Sequence, residues 1–279
     1  VIEASSYQID YSNLFKSNYA TILNISPDHL ERHGSMKKYV DAKFKLFKKQ
    51  TKKDLAFINT KNNFLKKKLK RTKIFSKIIF VNLNIVKKLK KKISNPYFFT
   101  FGNQENLSFI FSLAKKLNLN NNKIISEVNK FKGLKYRQEI IYKNNKFTII
   151  NDSKATSFAS SINILKSLKK VYWLVGGMHK LGDKFVLKKN ECKNIKAYIY
   201  GRKNFFVKQF KNKLQYICFK DLKKAVKQVL LDANNSKSQK TILFSPSSAS
   251  FDNFKNFEER GEYFNFLLKK YKFKNFNAF

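Results

Sequence analysis

Short apolar runs alternate along the chain with longer segments in which apolar residues recur every three to four positions. A short apolar run is typical of a buried strand, and a period near 3.6 is typical of an amphipathic helix. Their alternation predicts an α/β protein with mainly parallel sheets. The predicted strands are Ala20–Ile25, Asp54–Asn59, Ile78–Asn82, Phe147–Asn151, Val171–Val175, Ala197–Tyr200 and Thr241–Ser245. The predicted helices are Ser35–Gln50, Asn103–Asn118, Asn122–Phe131, Ser157–Leu168, Asp221–Asp232 and Phe257–Tyr271.

The pattern changes near Gly133, where a helical segment ends and a strand-first pattern begins. A chain of 279 residues is long enough for two domains. We therefore predict one domain over residues 1–133 and another over residues 134–279. The first residues, VIEASSYQID, resemble the end of a buried strand that runs into Glu3. A parallel α/β domain that starts there would lack its first strands, so we expect the chain to be a fragment.

The chain is strongly basic, with a formal net charge of +41 from 59 Lys+Arg and 18 Asp+Glu. Such a charge favours an anionic partner such as nucleic acid. Nucleic-acid surfaces, however, usually rely on arginine forks. Here the arginines are few, and Lys, Asn, Phe and Ile are frequent throughout, which is typical of A/T-rich coding. We interpret the lysine runs as solvated faces and expect no specific nucleic-acid partner, although a non-catalytic basic fragment that binds polyanions stays open as an alternative.

Cysteine usage and hydropathy exclude two further classes of protein. Cys192 and Cys218 are isolated, so the sequence indicates neither a disulfide framework nor a zinc site. No apolar run approaches the roughly 20 residues of a membrane span, and no signal peptide opens the chain. We expect a cytoplasmic monomer without a membrane span.

One lysine is in an unusual position on the predicted helix Ser35–Gln50. With Met36 at 0° and about 100° per residue, the apolar residues fall within about 80° of that origin, and most lysines of the helix fall on the opposite side. Lys43 alone lies at about 340°, inside the apolar stripe. A buried lysine is costly unless it is paired, snorkels or is chemically altered, so Lys43 is a candidate for chemistry.

His29 is a second candidate, because it follows the C-terminal end of the strand Ala20–Ile25. Open α/β sheets bind ligands at that end of their strands. Spacing alone favours an ordinary loop histidine at the strand end for His29, and Lys43 could be a snorkelling lysine near a helix end.

Several motifs resemble those of the Mur ligases. In the first half, Glu3–Gln8 is similar to E-x-S-S-[FY]-Q, Asn24–Arg32 to N-[IV]-[ST]-x-D-H-x-[DE]-R, and Tyr39–Lys43 to Y-x-x-A-K. In the second half, Asn151–Thr156 is similar to N-D-S-K-A-T. Ser245–Gly261 is similar to S-P-A-x-A-S-[FL]-D-x-F-x-x-[FY]-x-x-R-G. The motifs of the second half resemble the branch of the family that adds D-glutamate.

The resemblance implies an incomplete Mur-ligase central ATPase domain, mainly a parallel sheet with helices, followed by a Rossmann-like C-terminal domain that binds the amino acid. The P-loop of the central domain, G-[TS]-N-G-K-[ST], does not occur in the sequence. The implied activity is ATP-dependent ligation of D-glutamate to UDP-N-acetylmuramoyl-L-alanine through an acyl phosphate, in peptidoglycan precursor synthesis. Another Mur ligase or a folylpolyglutamate-synthase-like enzyme is the alternative. We expect the fragment alone to be inactive.

The resemblance also implies roles for individual residues, with ATP and Mg²⁺ as cofactors. Mg²⁺ ligands would be Glu3, His29 and Lys43, the lysine as a carbamate, and the catalytic residues would be His29, Lys43 and Lys154. Nucleotide contacts would be Asn106, Arg137, Asp152 and Lys154. Contacts to the other substrates would be Ser5, Thr156, Lys180, Ser250, Phe251 and Phe257.

Overall fold

The computed structural model describes residues 1–27, 30–59, 61–89 and 91–271. Its strands are β1 (Tyr19–Ile22), β2 (Leu55–Ile58), β3 (Lys77–Phe80), β4 (Glu139–Lys143), β5 (Phe147–Asn151), β6 (Val171–Gly176), β7 (Ile195–Tyr200), β8 (Gln215–Phe219) and β9 (Lys240–Phe244). Its helices are α1 (Ser6–Tyr11), α2 (Leu30–His33), α3 (Met36–Phe44), α4 (Asn63–Leu69), α5 (Ile85–Leu89), α6 (Phe101–Lys116), α7 (Asn121–Lys130), α8 (Phe158–Ser167), α9 (Lys203–Phe210), α10 (Leu222–Asn234) and α11 (Phe257–Lys270). Short 3₁₀ segments lie at Lys45–Phe47, Pro96–Phe99 and Lys189–Cys192.

The chain divides into two compact units. Unit 1 comprises Val1–Phe98 and Gly102–Phe131, and unit 2 comprises Phe99–Phe101 and Lys132–Phe279. Each unit has its own sheet.

Unit 1 contains a parallel three-stranded sheet in the order β1-β2-β3. On one face, Ala20, Ala56 and Ile58 pack with Tyr39 and other residues of α3 and α4. On the other face, Phe57, Val81 and Phe109 form a smaller cluster that includes α6. Strands covered on both faces show continuous apolar runs, which explains why the sequence pattern predicts them.

Unit 2 contains a six-stranded sheet in the order β4-β5-β9-β6-β7-β8, in which only β4 runs antiparallel to its neighbour. The chain moves outward from β6 to β7 and β8 and then returns to insert β9 between β5 and β6. Such a reversal of strand order leaves a crevice at the carboxyl ends of the strands.

Helices cover both faces of the second sheet. Neighbouring residues along a strand point to opposite faces, so each central strand contributes side chains to two clusters. Ile149 and Leu174 pack with α10 and α11, whereas Ile150 and Trp173 pack with α8 and α9. Unit 2 is therefore a three-layer α/β/α sandwich, and the predicted α/β fold class is confirmed.

The prediction and the structure differ in several elements. The short helices α1, α2, α4, α5 and α9 were not predicted. β4 and β8 were not predicted, and both are edge strands of the second sheet. The expected strand end before Glu3 is not present, since Val1 to Ser5 belong to no strand and Val1, Ile2 and Glu3 are exposed.

Among the helices of the described residues, none combines the length and the apolar character that a membrane span requires.

Candidate functional site

Three polar loops meet at the carboxyl ends of the central strands of unit 2. The loop after β5 carries Asp152 to Thr156, the loop after β6 carries Gly177 to Lys180, and the loop after β9 carries Ser245 to Phe251. β9 is hydrogen-bonded to both β5 and β6, so the three loops emerge side by side.

Asp152 is a buried carboxyl group at this edge. Its Oδ2 accepts a hydrogen bond from Ser245 Oγ at 2.8 Å, and its Oδ1 accepts one from the Gln138 amide at 3.1 Å. Burial raises the pKa of Asp152 to about 7, although these two bonds and the charge of Arg137 act in the opposite direction. Asp152 therefore titrates near neutral pH.

Buried hydroxyl groups extend from this carboxyl into the core. Ser161 Oγ lies 2.6 Å from both Ser245 Oγ and Ser247 Oγ. The Ser245 carbonyl accepts a bond from Trp173 Nε1 at 2.8 Å. The loop after β9 is thus bonded to both the end of β5 and the interior of β6.

The predicted nucleotide-side residues of unit 2 lie close together. The Lys154 amide donates to the Tyr136 carbonyl at 3.0 Å, and the Gln138 amide donates to Asp152. Arg137 lies between these two attachment points in the sequence, and all three segments are in unit 2. The structure therefore brings Arg137, Asp152 and Lys154 to one place.

Predicted residues of the amino-acid pocket lie around the same crevice. Asp183 Oδ2 accepts a bond from the Phe158 amide at 2.8 Å, which joins the loop of Lys180 to the start of α8 beside Thr156. Met178 and Ala249 exchange two backbone bonds, which joins the same loop to the segment of Ser250.

The side chains of this pocket differ in exposure and contacts. Lys154 Nζ lies 3.7 Å from the centre of the Phe257 ring. Ser250 is buried, whereas the ring of Phe251 is 69% exposed. Lys154, Thr156, Lys180 and Phe257 are half-buried, so a ligand can reach them.

Arg260 is a buried side chain of this region to which the sequence assigned no role. Its residue is only 1% exposed, and its guanidinium donates to Ser153 Oγ, to the Ser153 carbonyl and to the Ser248 carbonyl at 3.1, 2.8 and 2.9 Å. A signal was available, because Arg260 lies on the apolar stripe of α11 with Phe264 and Leu267. The same argument had singled out Lys43.

Gly177 lies close to the loop after β9 and to the Arg260 guanidinium. Its φ is +119°, and a Cβ there would meet Ser248 Oγ at 2.5 Å and the Ala249 carbonyl oxygen at 2.9 Å. Only glycine allows both this backbone conformation and this contact between the loops.

In unit 1, Lys43 lies on α3 as the helical pattern predicted. Tyr39, Val40 and Phe47 are buried, and Lys43 is half-buried with its Nζ 5.2 Å from the centre of the Tyr39 ring. The other lysines of this segment are exposed: Lys37, Lys38, Lys45, Lys48 and Lys49. Lys43 is therefore distinguished from its neighbours by its environment.

Glu3 and Ser5 lie at the start of α1 and are exposed. Ser5 caps this helix, since its Oγ accepts from the Gln8 amide at 3.2 Å and its own amide donates to Gln8 Oε1 at 2.8 Å. The S-x-x-Q part of the first motif is thus a capping box. His29 lies outside the described residues.

His33 connects the helix that follows Glu3 with the helix that carries Lys43. Its Nε2 lies 3.0 Å from Ser6 Oγ, and its ring packs against Tyr7 and Tyr39 with centres 5.3 and 5.2 Å apart. The buried imidazole therefore packs between α1 and α3.

The described residues contain no group of three His, Cys, Asp or Glu side chains that could hold a metal ion. The predicted metal ligands include His29, which is not described, and Lys43, which offers oxygen ligands only after modification. A carboxylate such as Glu3 suits Mg²⁺, whereas an unmodified ammonium does not. The donor chemistry therefore fits the ion only if Lys43 carries a carboxylate-like group.

A cavity of about 520 Å³ lies in unit 1 between α6 and α7. Apolar residues such as Tyr97, Ile124 and Phe131 line it, together with Asn103 and Asn106. The side-chain Nδ2 of Asn103 donates to the Tyr97 carbonyl at 2.7 Å, whereas Asn106 is exposed. The cavity has the size and the mainly apolar lining typical of a small-molecule site.

Comparison with known proteins gives consistent matches. The Mur ligase middle domain matches residues 1–123. The UDP-N-acetylmuramoylalanine–D-glutamate ligase of Rickettsia felis is 34% identical over 290 residues, which cover 97% of this chain and 65% of that protein. The enzyme of the same name from Elusimicrobium minutum is 36% identical, with 96% and 63% covered. The chain thus spans slightly less than two thirds of the length of these relatives.

Solved structures share the fold. The MurF ligase of Thermotoga maritima, in complex with ADP, matches with a TM-score of 0.64 at 15% identity, covering 92% of this chain and 63% of that chain. MurF from Acinetobacter baumannii matches with a TM-score of 0.61 at 15% identity, covering 83% and 57%. At this identity the likeness concerns the fold alone.

Proposed function

We propose that the chain is a member of the Mur ligase family and supplies the metal side and the amino-acid side of an ATP-dependent ligase that joins D-glutamate to UDP-N-acetylmuramoyl-L-alanine. The observation that carries the proposal is the contact among the loops after β5, β6 and β9, which gathers the residues assigned to D-glutamate. Sequence identity to ligases of that name supports the choice of substrates.

In the proposed reaction, a carboxylate oxygen of UDP-N-acetylmuramoyl-L-alanine attacks the γ-phosphorus of ATP, which forms an acyl phosphate as ADP leaves with the bridging oxygen. The amine of D-glutamate attacks the acyl carbon, loses a proton and forms the amide as phosphate leaves with the acyl C–O electron pair. Catalysis of such steps depends mainly on positioning and on charge stabilisation.

Unit 2 would bind D-glutamate through opposite charge and hydroxyl donors. Lys180 supplies a cation, and Ser250 and Thr156 supply hydroxyl groups. Phe257 contributes an aromatic wall and Phe251 an exposed ring at the rim. A dicarboxylate therefore matches this lining better than a neutral or basic amino acid does.

Candidate nucleotide contacts are present in each unit. Asn106 lines the cavity beside α6, and its amide can both donate to and accept from an adenine edge. In unit 2, Arg137 and Lys154 would neutralise phosphate charge, and buried Asp152 would hold the segment of Arg137 through its bond to the Gln138 amide. Ser5 would contact the UDP-linked substrate.

The metal side would consist of Glu3, His29 and carbamylated Lys43. When bound, Mg²⁺ would neutralise negative charge on the phosphoryl groups. Lys43 would enter this role by attack of its neutral amine on CO₂, which forms a carbamate and releases one proton. Its half-buried position beside Tyr39 distinguishes it from the exposed lysines of the same segment.

The proposal is tested by binding of D-glutamate to the 279-residue chain, followed by NMR chemical-shift changes in ¹⁵N-labelled protein. We expect shifts in residues of the three loops of unit 2 with D-glutamate, and weaker effects with L-glutamate and D-glutamine. Preferential binding of a neutral or basic amino acid would instead point to a different ligase of the family. Absence of binding by any amino acid would refute the amino-acid site.

A further inference from the structure

We propose that Arg260 is a positioning residue that holds the loop after β5 to the loop after β9, and so places the side chains of the amino-acid pocket. The proposal deepens the proposed function, on which its ligand-binding part rests. The clamp itself is independent of any ligand.

The first step of the argument is the geometry of the guanidinium. Two of its nitrogen atoms donate to Ser153, one to the hydroxyl and one to the carbonyl, while the third donates to the Ser248 carbonyl. Ser153 and Ser248 are 95 positions apart in the sequence (248 − 153) and lie on different loops. A planar fork with donors in fixed directions suits such a bridge, whereas a single ammonium cannot reproduce it.

Each bridged residue adjoins groups of the pocket. Ser153 precedes Lys154, and its Oγ donates to the Phe257 carbonyl at 2.8 Å. Ser153 therefore connects Arg260 to both residues of the Lys154–Phe257 contact. On the other loop, Ser248 Oγ donates to the Gly176 carbonyl, and Ser250 follows two residues later.

The second step concerns charge. No carboxylate oxygen in the described part of the chain lies within ion-pair distance of the Arg260 guanidinium, whose partners are two carbonyl groups and one hydroxyl. Burial lowers the pKa of Arg260, although the Asp252 carboxylate and the Tyr200 hydroxyl act in the opposite direction, so the buried cation is costly for folding. An anionic ligand in the adjoining crevice offsets part of that cost, so the same side chain favours a negatively charged ligand over a neutral one.

The experiment measures two properties of the 279-residue chain, affinity for D-glutamate by NMR titration and amide hydrogen exchange by mass spectrometry. In Arg260→Met we expect roughly tenfold weaker binding and faster exchange in residues 152–157 and 245–251, because loops without the clamp are ordered only part of the time. Arg260→Lys keeps the charge and loses the fork, so its exchange should resemble Arg260→Met while its preference for D-glutamate over D-glutamine is retained. Arg202→Gln, an exposed arginine of the same unit, is the matched control and should change neither property.

A folded Arg260→Met variant with unchanged affinity and unchanged exchange would overturn the proposal. If that variant does not fold, Ser153→Ala decides, since it removes only the hydroxyl between Arg260 and Phe257. Faster exchange at the start of α11 and about threefold weaker binding would support the clamp, and wild-type behaviour in both would overturn it. If wild-type protein binds no D-glutamate, the proposed function fails, and the exchange measurements alone test the clamp.

Discussion

The Lys154 ammonium lies 3.7 Å from the centre of the Phe257 ring, so a cation and an aromatic face that are distant in sequence form one wall of the crevice in unit 2. An aromatic ring attracts a cation through its negative face, with a worth of about 0.5–2 kcal/mol according to exposure. The ring therefore limits the positions that the lysine side chain samples before any ligand arrives.

Phe257→Leu should weaken binding of D-glutamate by about three- to tenfold, because leucine fills similar space but has no ring to hold the ammonium. Phe257→Tyr should retain most of the affinity. NMR titration of the two variants measures the difference. Phe266→Leu is the control, since it removes a ring of the same helix that lies 5.9 Å from Lys270 and outside the crevice. Equal affinities of the Leu and Tyr variants would contradict the role of the ring.

Asp152 should make the stability of unit 2 depend on pH. Folded Asp152 keeps its proton up to about pH 7, whereas the unfolded carboxyl loses it near its ordinary value of 3.8. Between these values the folded state binds more protons, so the free energy of unfolding falls as pH rises and levels off above about pH 7. The total effect is at most about 4 kcal/mol, since one pKa unit corresponds to about 1.4 kcal/mol.

Urea unfolding of wild type and Asp152→Asn at pH 5 and pH 8 measures this dependence. The asparagine variant cannot ionise, so it should lose less stability than wild type between the two pH values. The difference between the two proteins cancels the contribution of all other titrating groups. Parallel behaviour of the two proteins would show that Asp152 is already ionised at pH 5.

Lys43 should react with CO₂ more readily than its neighbours. In ¹³C-bicarbonate at mildly alkaline pH, ¹³C NMR should show a carbamate signal that disappears in Lys43→Gln and persists in Lys45→Gln. Lys45 is a suitable control because it lies in the next turn, is exposed and forms an ion pair with Asp10 at 2.7 Å. A signal that survives in Lys43→Gln would assign the modification to another lysine.

His33 should determine how firmly α1 is held to α3. Its replacement by alanine removes the contact to Ser6 and two ring contacts, at a cost of about 1–3 kcal/mol. Amide exchange in Ser6–Tyr11 should therefore accelerate by about ten- to a hundredfold, if this helix exchanges by local opening. His179→Ala is the control, because that exposed ring stacks on Phe205 in unit 2. Unchanged exchange in α1 would show that other contacts hold the helix.

The central strands could be predicted from the sequence, whereas two edge strands could not. β5, β6, β7 and β9 are covered on both faces and show continuous apolar runs. β4 and β8 each have only one neighbour strand, and most of their residues are partly exposed. Both contain a short apolar run, Ile140–Tyr142 in β4 and Tyr216–Phe219 in β8, but a run of three or four apolar residues does not by itself distinguish a strand from part of a helix.

Helical periodicity could have identified Arg260 as well as Lys43, although it was applied only to Lys43. It distinguished Lys43 from neighbouring lysines on α3, and Arg260 occupies the equivalent kind of position on α11. What periodicity could not supply is the identity of the partners. Ser153 and Ser248 reach Arg260 only because β5 and β9 are adjacent, and strand order is a property of the folded sheet.

Trp173, the single tryptophan of the chain, donates its indole hydrogen to the Ser245 carbonyl, and Ser245 in turn bonds to Asp152. The chain therefore contains a native fluorophore that is linked through one residue, Ser245, to the titrating carboxyl group of Asp152. Its emission should respond to ionisation of Asp152 and to displacement of the loop after β9. Unlabelled protein can thus report optically on this part of the molecule.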